Sequence, residues 1–383
     1  MLRFAAHSRF PLLANHHKVL GLPPSIFYAI ILLIIMKIKL NGTTIELDGN
    51  FVGLTQEMKG CLVGVRKEFI DFDKKNIDRN ARISFVLGKK DKILKKLTSY
   101  FASIWKIVKV LDKKRYKLYS AYFRRELGGL LLKAEINKYI FDKPLGYSGD
   151  YVVMNYIYDY HDDYLGESSY DILINHYTCN IPISNSNIKR NKYFKQQILK
   201  ALGTIKNPRV VSLGSGPARE LIELLDEGAI NKPLSFNCVD FEPKALDFVK
   251  MEIAKRSNPF LKMDYLRIDI RDVAKAGRIK EILFDIDLAY ASGVVDYLSD
   301  RFARRLLQVL YGLLNESGQI IIVNASSENS EMRAYYELLG GWVFHHRTKK
   351  QLLEWSADLE GAKKIEFEEP FPPNNYLFLK INR

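Results

Sequence analysis

Residues 207–383 alternate short apolar runs with amphipathic helical segments, and this alternation limits the fold more than any other feature. RVVSL (Arg209–Leu213) is a β-branched run that ends in glycines, and PARELIELLDEG (Pro217–Gly228) is helical with a glycine stop. SFNCVD, YLRID, FDIDLAYA and QIIIVNAS repeat the strand pattern, with helical segments between them. Near-continuous apolar strands alternating with helices predict an α/β fold with a parallel sheet covered on both faces. Only a PFPP loop joins KKIEFEE to NNYLFLKI, so these last two strands are expected to pair antiparallel.

The residues before this region have a mostly helical character. From Ile93 to Leu111 apolar residues recur every three or four positions, and further helical segments are predicted at about 113–140, 168–180 and 189–204. Alternating residues around Asn41-Gly42 predict a β-hairpin. The expected organisation has four parts: an uncertain N-terminal segment (1–35), a small β-containing element (36–90), a basic helical lid or substrate domain (91–206) and the α/β domain (207–383).

The positive charge is concentrated in the N-terminal part. Residues 1–200 hold 33 Lys and Arg against 18 Asp and Glu, whereas the rest of the chain holds 25 against 26. A basic surface can attract nucleic acid, anionic lipid or an acidic substrate, and it can equally be a set of solvated helix faces. With 47% hydrophobic residues the chain can bury a large core, which excludes a disordered or low-complexity protein.

The cysteine and histidine patterns predict neither disulfides nor a metal site. Cys61, Cys179 and Cys238 are odd in number and far apart, which excludes a disulfide framework and a CxxC site. His161 and His176 have no cysteine or carboxylate partners at metal-ligand spacing. Reduced thiols of this kind are typical of a cytoplasmic protein.

The apolar stretch from Ile26 to Met36 is too short to span a bilayer, which needs about 20 residues. It resembles a signal-peptide core, but MKIKLNG follows it where a small-residue cleavage site is expected. The interpretation we favour is that translation begins at Met36. We therefore expect no integral membrane segment and a cytoplasmic location.

The segment LGSGPARE carries the first sign of ligand chemistry. Its residues Gly214, Ser215 and Gly216 follow a strand and open a helix, so backbone and free N–H groups can approach a ligand closely. Arg219 occupies the place of the third glycine of the dinucleotide fingerprint. This substitution disfavours a nicotinamide-dependent oxidoreductase and favours a looser fit to a carboxylate or nucleoside.

Later strand ends supply the other candidate groups. Asp240 ends the second strand, where a carboxylate can accept from ribose hydroxyls, or it caps the helix that begins near Pro243. Asp269 ends the third strand and could accept from an adenine amino group, with the Ile270 backbone beside it, or it is an ordinary strand-end aspartate. The strand that contains Ala291 then runs into a small-residue turn. Because ligands bind outside the carboxyl ends of such strands, the residues after it should lie near the reacting centre: Ser292, Gly293, Asp296 and Tyr297.

Taken in this order, these segments resemble the class I S-adenosylmethionine-dependent methyltransferases over residues 207–383. The resemblance implies a Rossmann-like seven-stranded sheet and S-adenosylmethionine as the cofactor. It also implies that the glycine loop faces the methionine part, Asp240 holds the ribose and Asp269 meets the adenine. The full cofactor-binding set that it implies is Gly214, Ser215, Gly216, Asp240, Phe241, Asp269, Ile270 and Ala291.

A narrower resemblance covers about residues 120–383. PLGYSGDYVVMNYIY, SNIKRNKYF, SLGSGPARE, YASGVVDYLSDR and GGWVFHHRT are similar to segments of the bacterial methyltransferases of extracellular-factor (3-hydroxypalmitic acid methyl ester) biosynthesis. This resemblance implies a fatty or hydroxy-fatty acid as the methyl acceptor.

Methyl transfer to a carboxylate asks little acid–base chemistry of a protein, because a carboxyl group with a pKa of about 4 is already ionised at neutral pH. A hydroxyl or amine acceptor would need a base. The candidate catalytic or positioning residues are Tyr147, Asp150, Asp296, Tyr297 and Arg347. Arg190 could bind a carboxylate or be a solvated arginine, Trp342 could contact substrate, and His345 and His346 are available bases or plain surface.

The sequence thus predicts a methyltransferase that esterifies a small, lipid-like acid. Two alternatives stay open. One is a nucleic-acid (RNA) or other small-molecule methyltransferase, which the basic N-terminal part allows. The other is a non-catalytic S-adenosylmethionine-binding regulator. The sequence leaves the oligomeric state undetermined.

Overall fold

The computed structural model describes residues 35–40, 42–75, 77–160, 165–275, 279–328, 331–370 and 375–383. The expectations for residues 1–34, for Asn41, for His161 and for the PFPP loop at 371–373 lie outside these residues. Among the helices in the described ranges, none combines the length and apolar character needed to cross a membrane.

In the described residues, the N-terminal part is a hairpin followed by seven helices. Strands β1 and β2 pair antiparallel, with Leu40 opposite Thr43, as the alternating pattern predicts. The elements of this part are β1 (Ile35–Leu40), β2 (Thr43–Asp48), α1 (Gly49–Asp73), α2 (Arg79–Val108), α3 (Lys113–Leu131), α4 (Glu135–Asp142), α5 (Tyr151–Asp159), α6 (Ser169–Asn180) and α7 (Pro182–Thr204).

Three features of this part go beyond the sequence pattern. The small β-containing element expected over 36–90 consists of the hairpin, all of α1 and the start of α2. Helix α1 begins where the Asp48 side chain accepts from the Phe51 N–H. The segment predicted as one helix over 113–140 divides into α3 and α4 around residues 132–134. The aromatic run after Asp150 is a helix, α5, because the Asp150 carboxylate caps it by accepting from two backbone N–H groups.

The second part is a seven-stranded sheet with helices on both faces. Its strands are β3 (Arg209–Leu213), β4 (Leu234–Asp240), β5 (Leu261–Arg267), β6 (Ile286–Ser292), β7 (Leu314–Ala325), β8 (Lys364–Glu368) and β9 (Tyr376–Asn382). Its helices are α8 (Arg219–Asp226), α9 (Pro243–Ala254), α10 (Ile270–Val273), α11 (Ile279–Ile282), α12 (Asp300–Leu313) and α13 (Lys349–Ser356).

The strand order is β5-β4-β3-β6-β7-β9-β8. Strand β9 pairs antiparallel with both β7 and β8, while the pairs from β5 to β7 are all parallel. This arrangement confirms the predicted Rossmann-like sheet and its antiparallel final pair. It also places the carboxyl ends of β3, β4, β5 and β6 side by side at one edge.

One hydrophobic core joins the helical part to one face of the sheet. The ring of Phe194 on α7 stacks on Tyr290 of β6, with centroids 4.3 Å apart, and both side chains are buried. The opposite face packs separately against α12, where Leu306 and Leu310 are fully buried. The helical part therefore shares a core with the sheet and is held firmly against it.

A buried polar cluster adds a second connection between the two parts. The Asn137 amide donates to the Leu131 carbonyl (2.9 Å) and to the Tyr335 hydroxyl (2.8 Å). The Thr178 hydroxyl donates to the Asn137 carbonyl oxygen (2.9 Å). Each polar atom finds its partner inside the protein, so the cluster tolerates burial.

We expect Asn137→Ala to lower the free energy of unfolding by about 2–4 kcal/mol, because it leaves several buried groups without partners. Urea unfolding followed by circular dichroism measures this change. The matched control is Asn50→Ala, since Asn50 is exposed and its replacement should change stability by less than about 0.5 kcal/mol. Equal effects of the two substitutions would contradict a stabilising role for the cluster.

Candidate functional site

A cavity of about 450 Å³ opens at the carboxyl ends of the central strands. It collects most of the residues that the sequence singled out. Those that line it are Tyr147, Asp150, Gly214, Ser215, Gly216, Asp240, Phe241, Asp269, Ile270, Ser292, Gly293, Asp296, Tyr297, Trp342 and Arg190. Ala291 is not among them, because its side chain is fully buried in the core on the α12 face of the sheet.

The glycine loop follows β3 directly and is anchored to β4. The Gly214 and Ser215 N–H groups donate to the Val239 carbonyl at 2.8 and 3.2 Å. Gly214 and Gly216 have φ angles of 61° and 52°, which glycine adopts without strain. A Cβ on Gly214 would lie 2.9 Å from the Val294 side chain. Only glycine therefore fits the first position of this loop.

Asp240 organises the loop from the end of β4. One carboxylate oxygen accepts from the Gly216 N–H (2.9 Å) and the other from the Glu242 N–H (3.0 Å). Burial raises the pKa of Asp240 above its usual value. The helix α9 is capped by Glu242 instead, whose side chain accepts from the Lys244 N–H. Asp240 is thus a cavity-lining loop anchor, and the alternative of a helix cap does not describe it.

Asp269 lines the cavity and also makes two interactions with Arg271. Its carboxylate forms a bidentate ion pair with Arg271, with Nε 3.0 Å from both oxygens, and the Arg271 hydrogen bond lowers its pKa. It also caps α10 by accepting from the Arg271 N–H (2.8 Å). Asp269 therefore caps α10 and pairs with Arg271 as well as lining the cavity.

Arg219 stands where the dinucleotide fingerprint has its third glycine. Its guanidinium pairs with Asp159 at 2.7 Å and with Glu223 at 3.3 Å. The residue lines the cavity wall with its charge already neutralised.

The segment 144–151 covers the cavity from the helical part. The Tyr147 ring lies 5.1 Å from the Phe241 ring, and Tyr151 lies 5.4 Å from Phe248. Gly149 has a φ of 72°, and a Cβ there would lie 2.4 Å from the Trp342 ring. The Trp342 indole donates to the Tyr297 hydroxyl (2.6 Å). This segment therefore bridges the end of β4 and the Trp342 loop.

Arg190 is not the solvated arginine that the sequence allowed as one alternative. It is 5% exposed, and its guanidinium lies 4.8 Å from the centre of the Tyr376 ring. Burial by itself lowers the pKa of Arg190, but Tyr376, Tyr158 and Asp296 together raise it, so the group stays charged. Among the residues that the structure describes, its Nη1 atom has no hydrogen-bond partner.

Asp296 presents an unpaired carboxylate oxygen at the same end of the cavity. Its Oδ1 accepts from the Ala325 N–H (2.5 Å), whereas Oδ2 has no hydrogen-bond partner in the described part of the chain. The side chain is fully buried, and burial raises its pKa to about 6 despite the opposing effects of the Ala325 amide and Arg190. A buried carboxylate of this kind can accept a proton or a hydrogen bond from a ligand.

The expectation that Arg347 contacts substrate is not supported by its position, because it does not line the cavity. Its guanidinium donates to Asp300, to Asn324 and to the Val295 and Leu298 carbonyls. These bonds use its donors to hold the turn that carries Asp296.

The histidines lie elsewhere as well. The pKa of His346 falls to about 4 because it is buried, and its Nδ1 lies 2.9 Å from the Ser326 carbonyl oxygen. His345 does not line the cavity either. His176 lies against the Tyr160 hydroxyl (2.7 Å). In the described part of the chain, no three His, Cys, Asp or Glu side chains cluster in a way that could hold a metal ion.

Sequence reasoning missed the aromatic and acidic floor of the cavity. The Tyr290 hydroxyl donates to Glu220 (2.6 Å), and burial raises the pKa of Glu220. Tyr376, at the start of the last strand, donates to Asn187 on α7 (2.9 Å). Glu220 could have been suspected from its place one residue into α8, whereas no local pattern marks Tyr290 or Tyr376.

We expect Asp296→Asn to stabilise the ligand-free protein. The folded-state pKa of about 6 lies above the unfolded value, so the folded state binds more protons and stability falls as pH rises from about 4 to 6. Removing the charge should therefore add up to about 3 kcal/mol at pH 8 and less at pH 5. Urea unfolding at both pH values measures the difference, with the exposed Asp142→Asn as control. A loss of stability at pH 8 would show that the Asp296 charge is already compensated.

No protein-family model and no curated protein matches the chain. A possible exported protein from Bordetella parapertussis has a TM-score of 0.52 at 12% identity, over 81% of this chain and 98% of that one. Magnesium protoporphyrin IX methyltransferase from Synechocystis PCC 6803 with bound SAH has a TM-score of 0.43 at 12% identity, over 65% and 100%. The CMeT domain of citrinin polyketide synthase has 0.42 at 14%, over 68% and 69%. The likeness to the Bordetella protein shows a shared fold over most of both chains.

Proposed function

We propose that the protein is a methyltransferase that uses S-adenosylmethionine. The observation that carries this proposal is the cavity at the strand ends, where the anchored glycine loop and the Asp240 carboxylate meet. The residues that line the cavity suit this cofactor. Position 214 has no room for a side chain, so the loop backbone can approach a ligand closely, and the Arg190 Nη1 atom is buried without a hydrogen-bond partner among the described residues. The carboxylates match the ribose hydroxyls of that molecule, the guanidinium matches its charged amino-acid end, and the aromatic rings match its adenine.

Each part of the cavity has a proposed role. Asp240 and the glycine loop hold the ribose and the methionine part, and Asp269, Ile270 and Phe241 surround the adenine. When bound, S-adenosylmethionine supplies a methyl group already activated by its sulfonium. The segment 144–151 closes the cavity, keeps water out and holds the acceptor at reacting distance, which is about 3 Å for in-line attack.

The acceptor that we propose is the carboxylate of an acid with an apolar tail, which would leave as a methyl ester. Support comes from the end of the cavity beyond β6, where Trp342, Phe344 and Tyr376 form an apolar wall. An ionised carboxylate attacks without a base, so the wall needs only to position the acceptor and does not need to remove a proton from it. The resemblance of the upstream segments to extracellular-factor methyltransferases points to the same class of acceptor.

Asp240→Ala should weaken the binding of S-adenosylhomocysteine by about 1.5–3 kcal/mol, because it removes a charged acceptor and frees the glycine loop. Isothermal titration calorimetry measures the affinity, and thermal unfolding reports the stability. The exposed Asp247→Ala on α9 is the control and should leave affinity unchanged. An unchanged affinity with a lowered stability would make Asp240 a purely structural residue.

Incubation with methyl-labelled S-adenosylmethionine and a bacterial lipid extract should label a small lipid-like acid. Mild alkali should then release the label as methanol, because esters hydrolyse under conditions that leave ethers and N-methyl groups intact. Mass spectrometry identifies the product. Label that resists alkali, or that partitions with added RNA, would contradict a carboxylate acceptor.

A second candidate is methylation of a hydroxyl group, which the unpaired Asp296 Oδ2 favours because it could accept the hydroxyl proton. The two candidates differ in their pH dependence. A carboxylate acceptor should give a rate that is flat from about pH 6 to 8. A hydroxyl acceptor should give a rate that falls below about pH 6, where Asp296 becomes protonated, and Asp296→Asn should abolish that limb.

A further inference from the structure

Arg190 is a buried cation that the protein leaves incompletely paired. It lies on α7, immediately before the sheet, and its guanidinium is flanked by Tyr158 and Tyr376. Neither of these neighbours carries a full negative charge at neutral pH. Burying a charged donor without a partner costs free energy, so an anion that enters the cavity and pairs with Nη1 recovers it.

The surrounding acids do not take this place. Asp296 is electrostatically coupled to Arg190, yet its Oδ2 is itself without a hydrogen-bond partner. Glu220 is engaged by the Tyr290 hydroxyl at 2.6 Å. The other two arginines that line the cavity are already paired, Arg219 with Asp159 and Glu223 and Arg271 with Asp269. Of these three arginines, Arg190 therefore retains capacity for a ligand anion.

The protein also makes room for the guanidinium at a defined point of the sheet edge. Gly293 follows β6 with a φ of 82°, and a Cβ there would lie 3.0 Å from Nη1 and 3.1 Å from Nη2. The guanidinium therefore rests on the backbone of Gly293. This contact places it beside the end of β6, the next strand after β3 in the sheet.

The order of strand ends indicates which anion reaches this point. Along the edge lie Asp269 after β5, Asp240 at the end of β4, the glycine loop after β3 and then Gly293 after β6. A ligand with its adenine at the first of these positions and its ribose at the second extends its remaining part over the glycine loop towards Arg190. In S-adenosylmethionine that part ends in an α-carboxylate.

We infer that Arg190 binds the α-carboxylate of the methionine part of the cofactor. The protein then binds the cofactor more tightly than nucleosides that lack this carboxylate. This inference rests on the proposed function. Arginine suits the task because its planar guanidinium can donate two parallel hydrogen bonds to one carboxylate.

The test compares S-adenosylhomocysteine with 5′-methylthioadenosine, which has the same nucleoside but no amino-acid part. Calorimetry should show that the unmodified protein binds S-adenosylhomocysteine at least tenfold more tightly. Arg190→Met should weaken its binding by about 10- to 100-fold and leave 5′-methylthioadenosine binding unchanged. Arg190→Lys keeps the charge and the core packing, so its affinity for S-adenosylhomocysteine should lie between those of the unmodified protein and Arg190→Met.

Two further variants test the same contact without removing Arg190. Gly293→Ala keeps the arginine but crowds Nη1, so it should reduce the preference for S-adenosylhomocysteine in the same direction. Arg219→Met removes the paired arginine and should reduce the preference less than Arg190→Met does. Thermal unfolding of each variant shows whether the fold is retained.

The outcomes separate the inference from the proposed function. If the unmodified protein binds neither ligand, the proposed function fails. If it binds both equally, or if the Arg190 variants lose both ligands in parallel, the cofactor proposal stands and the role of Arg190 is overturned. An unchanged preference in a folded Arg190→Met protein overturns it as well, and would assign the guanidinium to the carboxylate of the acceptor.

Discussion

The packing of one face of α7 against the sheet determines the shape of the cavity. Asn187, Arg190 and Phe194 are spaced three and four residues apart, so they lie on the same side of the helix. Phe194 stacks on Tyr290, and Asn187 accepts from the Tyr376 hydroxyl. With the helix fixed at both points, the Arg190 side chain, which is 5% exposed, is held beside the end of β6. A shift of α7 would change the floor of the cavity and the position of its cation together.

The cavity concentrates groups whose ionisation is opposed by burial. Asp240, Glu220 and Asp296 all have raised pKa values, and the desolvation of each carboxylate is the largest cause. A protein selected for stability alone would have no reason to place three acids there. Three such acids around one cavity are characteristic of a site in which some stability is given up for ligand binding.

The sequence predicted the features that depend on local pattern. The strand–helix alternation, the glycine loop and the strand-end aspartates each arise from neighbouring residues. The structure confirms the alternation and places the loop and both aspartates at the cavity, although β5 ends at Arg267, two residues before Asp269. It could not predict the burial of Arg190, because a basic segment such as SNIKRNKYF looks like a solvated helix face until the sheet covers it. The opposite happened with Arg347, whose local context suggested a ligand contact. Its donors are used by carbonyl groups about 50 residues away in the chain, and no local signal reports such pairing.

The contact between Gly149 and Trp342 has a consequence for how the cavity exchanges its contents. The Trp342 ring occupies the volume where a side chain at position 149 would lie, and its indole N–H donates a hydrogen bond to the Tyr297 hydroxyl. The covering segment therefore cannot slide across the indole while the indole stays in place. For a ligand to enter on this side, the segment 144–151 and the loop that carries Trp342 must move apart. A bulky residue at position 149 would hold them apart and leave the cavity open to water on this side.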